Sequence, residues 1–178
     1  MKILAIAATN HADSINKRLL SFASSILRED KPGLEIEILD LIDYELPLYR
    51  QDRESDSGVP LKAQEFYNKI GQVDSVIISF AEHNGGFTAV YKNLFDWMSR
   101  IDQNVYQDKP MIVMAATPGP RGGAGVLGSV DMIAPHFGMN VKAKVSVPVF
   151  QENFNFETGQ ITNEGIREEV YNALQMLK

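Results

Sequence analysis

Short apolar runs alternate with amphipathic segments along the whole chain, and this alternation limits the folds open to it more than any other feature. Lys2 to Ala8, Leu34 to Asp40, Val73 to Phe80, Met111 to Ala116 and Val141 to Val149 read as strands. Ser14 to Asp30, Leu61 to Ile70, Phe87 to Ile101, Val126 to Phe137 and Glu164 to Leu177 carry apolar residues at helical spacing. In the first helix Ile15, Leu19, Leu20, Phe22, Ala23, Ile26 and Leu27 form one stripe, and Lys31-Pro32-Gly33 stops it. Val73 to Phe80 is apolar nearly throughout, as a strand covered on both faces must be. Leu34 to Asp40 alternates and so keeps one wetter face.

Consecutive parallel strands need a crossover of about helix length, so this alternation implies a parallel sheet. Right-handed crossovers leave few arrangements. The pattern alone does not choose among the doubly wound strand orders. The length of 178 residues favours the smallest common version. The expectation is one α/β domain over residues 1–178: a flavodoxin-like three-layer sandwich with five parallel strands in the order 2-1-3-4-5 and helices on both faces. Such sheets place their ligand at the carboxyl ends of the strands.

Composition removes several functional classes. There is no cysteine, which excludes disulfides and thiolate metal sites. His11, His83 and His136 are too scattered in sequence to suggest a metal trio. Ser14 and Ser99 lack the Gly-x-Ser-x-Gly elbow of a hydrolase. A formal charge of −6 without a basic block argues against nucleic acid as a partner. No apolar run approaches the ~20 residues needed to span a bilayer. The opening "MKILAIAATN" reads as a first strand rather than a signal peptide, and a cytoplasmic location is expected.

The carboxyl ends of the first, third and fourth strands lead into "ATNHADSIN", "AEHNGGFT" and "ATPGPRGGAG". In a parallel sheet these three loops share one rim. Their glycines, hydroxyls, amides and backbone N–H groups suit a polar ligand with a flat part and a phosphate. Ser14 is placed to cap the first helix, whose free N–H groups and dipole favour an anion. Thr9, Ser14 and Asn16 add side-chain donors. A capped helix is also what any strand–helix unit needs, so the first loop by itself leaves phosphate binding open. Neither a Walker sequence nor a dinucleotide fingerprint is present.

The second loop and the helix after it carry the most specific pattern. Glu82, Asn84 and Gly85 are followed by Lys92, Asn93, Asp96 and Trp97. With "LPLYRQD" (Leu46 to Asp52), this resembles the NADPH-dependent FMN reductase family, a flavodoxin-like group that includes quinone and azo-dye reductases. The resemblance extends over nearly the whole chain. It implies that FMN is held by Thr9, His11, Ser14, Ile15 and Asn16 of the first loop, by Glu82, His83, Asn84 and Gly85 of the second, and by Thr117, Gly119, Arg121, Gly122 and Gly123 of the third. The chain departs from the family pattern Gly-Ser-x-Arg-x-x-Ser-x-Asn: Ala8, Thr9 and His11 stand for the first Gly, the Ser and the Arg, while Ser14 and Asn16 match. An imidazole cannot offer the bidentate fork of a guanidinium, and Asp13 adds a negative charge. In the second loop Ala81 and His83 stand where the family has Pro and Tyr.

Two functions fit. The first is an FMN oxidoreductase that takes hydride from NADPH or NADH and passes electrons to a quinone, azo compound, free flavin or similar acceptor, with the flavin and no side chain as the catalytic group. Arg121, then Arg50, are the candidates for selecting NADPH. The second is a flavin-binding or empty flavodoxin-like module acting through its dimer surface. Phe87, Val90, Tyr91, Leu94, Phe95, Trp97, Met98 and Ile101 make the third helix more apolar than one sheet-facing stripe requires, so a homodimer is expected through this helix, with a tetramer as the alternative assembly.

Overall fold

The computed structural model describes residues 1–177. Five parallel strands form the central sheet: β1 (Lys2–Ala8), β2 (Glu35–Asp40), β3 (Ser75–Phe80), β6 (Pro110–Ala116) and β7 (Asn140–Val147). Their spatial order is β2-β1-β3-β6-β7, which is the expected 2-1-3-4-5 arrangement. Strand periodicity then divides the core in two. Leu4, Ile6 and Ala8 of β1, with Val76, Ile78 and Phe80 of β3, face a cluster completed by helices α3 (Leu61–Gly71), α4 (Ala89–Met98) and α5 (Ala124–Ile133). Ile3, Ala5, Ala7 and Ile77 face α1 (Ile15–Asp30) and α7 (Glu164–Leu174) on the other side. β1, β3 and β6 are buried almost end to end, while the edge strands β2 and β7 are only partly covered.

Several expected boundaries move. The third expected helix starts at Ala89 rather than Phe87, because Thr88 caps it and Phe87 belongs to a short hairpin, β4 (Glu82–His83) with β5 (Gly86–Phe87). The next helix starts two residues early, at Ala124, and gives way to a tighter turn over Ala134–His136, where Pro135 sits. β7 ends at Val147, before Pro148, which has no N–H to give the ladder. A helix α2 (Gln51–Ser57) fills part of the loop after β2 and buries none of its residues, so it had no apolar stripe to betray it. A second hairpin, β8 (Phe154–Asn155) with β9 (Gln160–Ile161), follows the short helix α6 (Phe150–Asn153).

The apolar surplus on α4 is largely absorbed within the chain. Tyr91, Leu94, Phe95, Trp97 and Met98 are buried, and Phe87, Val90 and Ile101 are partly covered. Phe80, Phe137 and Tyr106 stack or pack edge-on against its aromatic residues. The apolar count of this helix therefore no longer calls for a partner.

Tyr91 and Tyr106 share a hydroxyl–hydroxyl hydrogen bond of 2.6 Å with both rings essentially out of water. Burial pushes both phenols above their ordinary value of 10.0. A raised phenol binds its proton more tightly in the folded chain, so its contribution is intact below pH 10 and is lost as the pH climbs toward the folded value. Urea unfolding should therefore show stability falling beyond about pH 10, and the Tyr91→Phe/Tyr106→Phe variant should lose part of that fall. At pH 7 Tyr91→Phe alone should cost about 1–3 kcal/mol by orphaning the Tyr106 hydroxyl, with the double variant nearer wild type.

Candidate functional site

The three strand-end loops are joined by a few buried hydrogen bonds. Ser14 caps α1, its Oγ accepting the Asn16 N–H at 3.2 Å. The Asn16 carboxamide then spans the sheet: Nδ2 donates to the Ala116 carbonyl at 2.9 Å, and Oδ1 accepts from the Ala116 N–H and the Ser79 hydroxyl, both at 2.9 Å. Thr88 Oγ1 donates to the Ala8 carbonyl at 3.0 Å while capping α4. The start of α1 is thus tied to the ends of β3 and β6, and the start of α4 to the end of β1.

A cavity of about 510 Å³ opens beside these ties. It lies outside the ends of β1 and β3, where the strand order reverses. Thr9, His11, Ser14, Ile15 and Asn16 of the first loop line it, as do Glu82 and His83 of the second and Thr117 of the third. Asn10, Asp13, Ala81, Ala116 and Pro118 complete the wall and were absent from the expected set. They adjoin the expected residues in sequence, but only the fold brings them to one wall.

The remaining expected residues stand elsewhere. Asn84 and Gly85 form the exposed tip of the β4–β5 hairpin, with φ of 53° and 80°. Two consecutive positive φ values suit a tight two-residue hairpin turn, and Asn-Gly was the sequence signal for it. Gly119, Arg121, Gly122 and Gly123 do not line the cavity. A Cβ on Gly122 would lie 2.0 Å from Ser146 Oγ, and one on Gly123 would lie 2.5 Å from Ala115 Cβ. These two glycines let α5 pack onto β6 and β7, whereas Gly85 and Gly119 have open space where a side chain would be. Asn16 lines the wall, and its carboxamide bonds Ala116 and Ser79, which positions α1. Arg50 forms a two-point pair with Asp52, and Arg121 is exposed with no ion pair among the described residues.

Glu82 joins the second and third loops. Its Oε2 accepts the Val126 N–H at 2.9 Å, so a carboxylate from the hairpin caps the first turn of α5. Close approach depends on Gly125, where a Cβ would fall 2.4 Å from the Gly85 carbonyl oxygen. The motif in α4 also has a mechanical role. Asn93 Oδ1 accepts the Tyr49 N–H at 2.8 Å and its amide reaches the carbonyls of Leu46 and Pro47. Trp97 Nε1 donates to the Pro47 carbonyl at 2.8 Å. The segments "KNLFDW" and "LPLYRQD" are thus two halves of one clamp, while Lys92 and Asp96 form a helical i,i+4 pair.

Gly125 and Gly128 lie on the same helix and provide a contrast. Gly125→Ala should destabilise the chain by driving α5 off the hairpin. Gly128→Ala, with nothing within 4 Å of its new Cβ, should stabilise it by about 0.5–1 kcal/mol. Urea midpoints of the two variants check this directly.

The chain is 30% identical over 182 residues to a probable NADPH:quinone oxidoreductase of Oryza sativa subsp. japonica, covering 100% of this chain and 90% of that one. It is 25% identical over 179 residues to an NAD(P)H-dependent FMN reductase of Pseudomonas aeruginosa, covering 100% and 94%. Among solved structures, an FMN-dependent NADH-azoreductase from Bacillus anthracis in complex with FMN superposes with a TM-score of 0.74 at 13% identity, over 99% of each chain, which shows the shared fold. A sequence model of NADPH-dependent FMN reductases matches residues 1–153, from β1 through α6. The chain belongs to the NADPH-dependent FMN reductase family.

Proposed function

We propose that this chain binds one FMN per subunit in the 510 Å³ cavity and reduces a quinone, azo compound, free flavin or similar small acceptor with NADPH or NADH. One observation carries the proposal: in a member of this family, the cavity lies at the strand-order switch and is walled in part by Ser14, Asn16 and Glu82, which match the family pattern. The donor set fits the group. First-turn amides of α1 have no carbonyl partner within the helix and, with Thr9 and Ser14, would hold the phosphate. The backbone of the β4–β5 hairpin, open in front of Gly85 and Gly86, would meet the polar edge of the ring. Bound FMN supplies hydride acceptance from the nicotinamide and electron delivery to the acceptor. The protein's contribution is placement: Asn16 holds the phosphate end at a set distance from β3 and β6, and Glu82 holds the hairpin against α5.

The alternative of a flavin-binding or empty module acting through its surface draws on the charge of the wall. Two carboxylates, Asp13 and Glu82, line the cavity, and no lysine or arginine does so among the described residues. Anaerobic mixing of the flavin-loaded chain with NADPH and NADH separates the two. Loss of the oxidised-flavin absorbance and parallel lines in double-reciprocal plots are the expected results, since one open ring face admits one partner at a time. If neither nicotinamide bleaches the flavin, the module becomes the better account. Arg121, exposed and without an ion pair among the described residues, is the proposed contact for the extra phosphate of NADPH. Arg121→Ala should raise the NADPH KM several-fold and leave that of NADH unchanged.

We also propose a homodimer and a cytoplasmic working place. With the α4 apolar residues accounted for internally, the dimer rests on what stays exposed around that helix: Leu48 at 71%, Ile42 at 44% and Ala89, with the half-buried Val90 beside them. A shallow depression of about 290 Å³ lies between Leu48, Tyr49 and the outer side of α4. Sedimentation at micromolar concentration should give a dimer, with Leu48→Asp shifting it toward monomer. A monomeric wild type would defeat the proposal, and a higher species would be the tetramer.

A further inference from the structure

A phosphate placed at the start of α1 meets a charge problem. The wall bears Asp13 and Glu82 and, among the described residues, no lysine or arginine, and the chain carries −6 overall. Glu82 is partly offset by the α5 N-terminus, but Asp13 sits one residue before the cap. His11 is exposed and cannot act as a guanidinium fork. Lys17 is bound to Asp40 at the end of β2. Among the described residues one further cation lies close. Arg18 lies one helical turn after Ser14, on the same face, and helical side chains lean toward the N-terminus. Its guanidinium does reach back: Nη2 contacts Asp13 Oδ1 at 2.5 Å. Behind it the Phe156 ring lies 5.1 Å from Cζ. Arg18 lines a groove of about 350 Å³ that shares Asp13 and Ser14 with the main cavity. The supporting ring comes from the β8–β9 hairpin, which lies beyond the residues matched by the family.

We propose that Arg18 is the cation that receives the ligand's phosphate, exchanging Asp13 for the anion when the cavity fills. The proposal rests on the FMN placement above. The Asp13–Arg18 pair is suited to such an exchange. Its side chains are 74% and 37% exposed, so water screens the pair and little is lost when it opens. A phosphate offers a doubly charged, fork-matched partner in its place. Phe156 keeps the guanidinium near the helix start in either arrangement. Arg18 thereby supplies what the first loop lacks, and Asp13 sets the affinity by competing for it.

FMN and riboflavin share a ring and differ in the phosphate, so their affinity ratio isolates this contact. The full-length, flavin-free chain is titrated with each flavin, following fluorescence quenching at low and high KCl. Wild type should prefer FMN, with the preference shrinking in salt. Arg18→Gln should weaken FMN by about tenfold or more. Its riboflavin affinity should change by less than about twofold, and Arg18→Lys should recover part of the loss. Asp13→Asn should tighten FMN. The double variant Asp13→Asn/Arg18→Gln should bind FMN much more weakly than Asp13→Asn. Equal FMN affinity in those two variants overturns the proposal, because Arg18 would then serve only to neutralise Asp13. An unchanged FMN-to-riboflavin ratio in Arg18→Gln also overturns it while leaving the FMN placement standing. A wild type that binds both flavins equally, or neither, overturns the phosphate placement and the Arg18 proposal together.

Discussion

The architecture of the site depends on one buried carboxamide. Asn16 is 2% exposed and makes three hydrogen bonds, joining the first turn of α1 to the last residues of β3 and β6. Hydrophobic packing of α1 on the sheet sets which face is buried, but it is tolerant of sliding along the helix axis. Directional bonds of 2.9 Å are not. Losing them would also leave the Ser79 hydroxyl and both backbone groups of Ala116 unpaired in the core, at about 1–3 kcal/mol for each orphaned group. A side chain of the phosphate-loop pattern is therefore spent on placing the helix whose N-terminus faces the cavity.

The same economy governs the other two loops. Glycine-rich segments at strand ends invite the idea that bare backbone faces a ligand. Here Gly122, Gly123 and Gly125 give their space to Ser146, Ala115 and the Gly85 carbonyl, so that α5 seats against β6, β7 and the hairpin. Glu82 completes that contact by capping α5. Gly85 and Gly119 alone among the expected glycines are left facing open space. The hairpin is stiffened on one side by this cap and continues on the other into α4, whose Thr88 is bonded to β1. Rigid support of a binding edge lowers the entropy lost when a ligand is bound.

How much of this could be read in the chain follows from which forces act locally. Alternating period-2 and period-3.6 apolar patterns fixed the five main strands, five of the helices, the parallel sheet and the rim to search, because burial of one stripe or two faces is written in adjacent residues. Ser14 as a cap and Lys92–Asp96 as a pair were also local. The short helix α2 escaped because it buries nothing, and the β4–β5 hairpin escaped although Asn-Gly marked it. What only the tertiary structure decided are matters of long separation: that Asn16 faces inward to residues 63 and 100 positions away, that Glu82 serves α5, that the α4 apolar surplus is met inside the chain, and that Arg18 lies against Phe156. A polar side chain's partner is chosen by which backbone ends the sheet brings together. The identity of the residue declares only that it needs one.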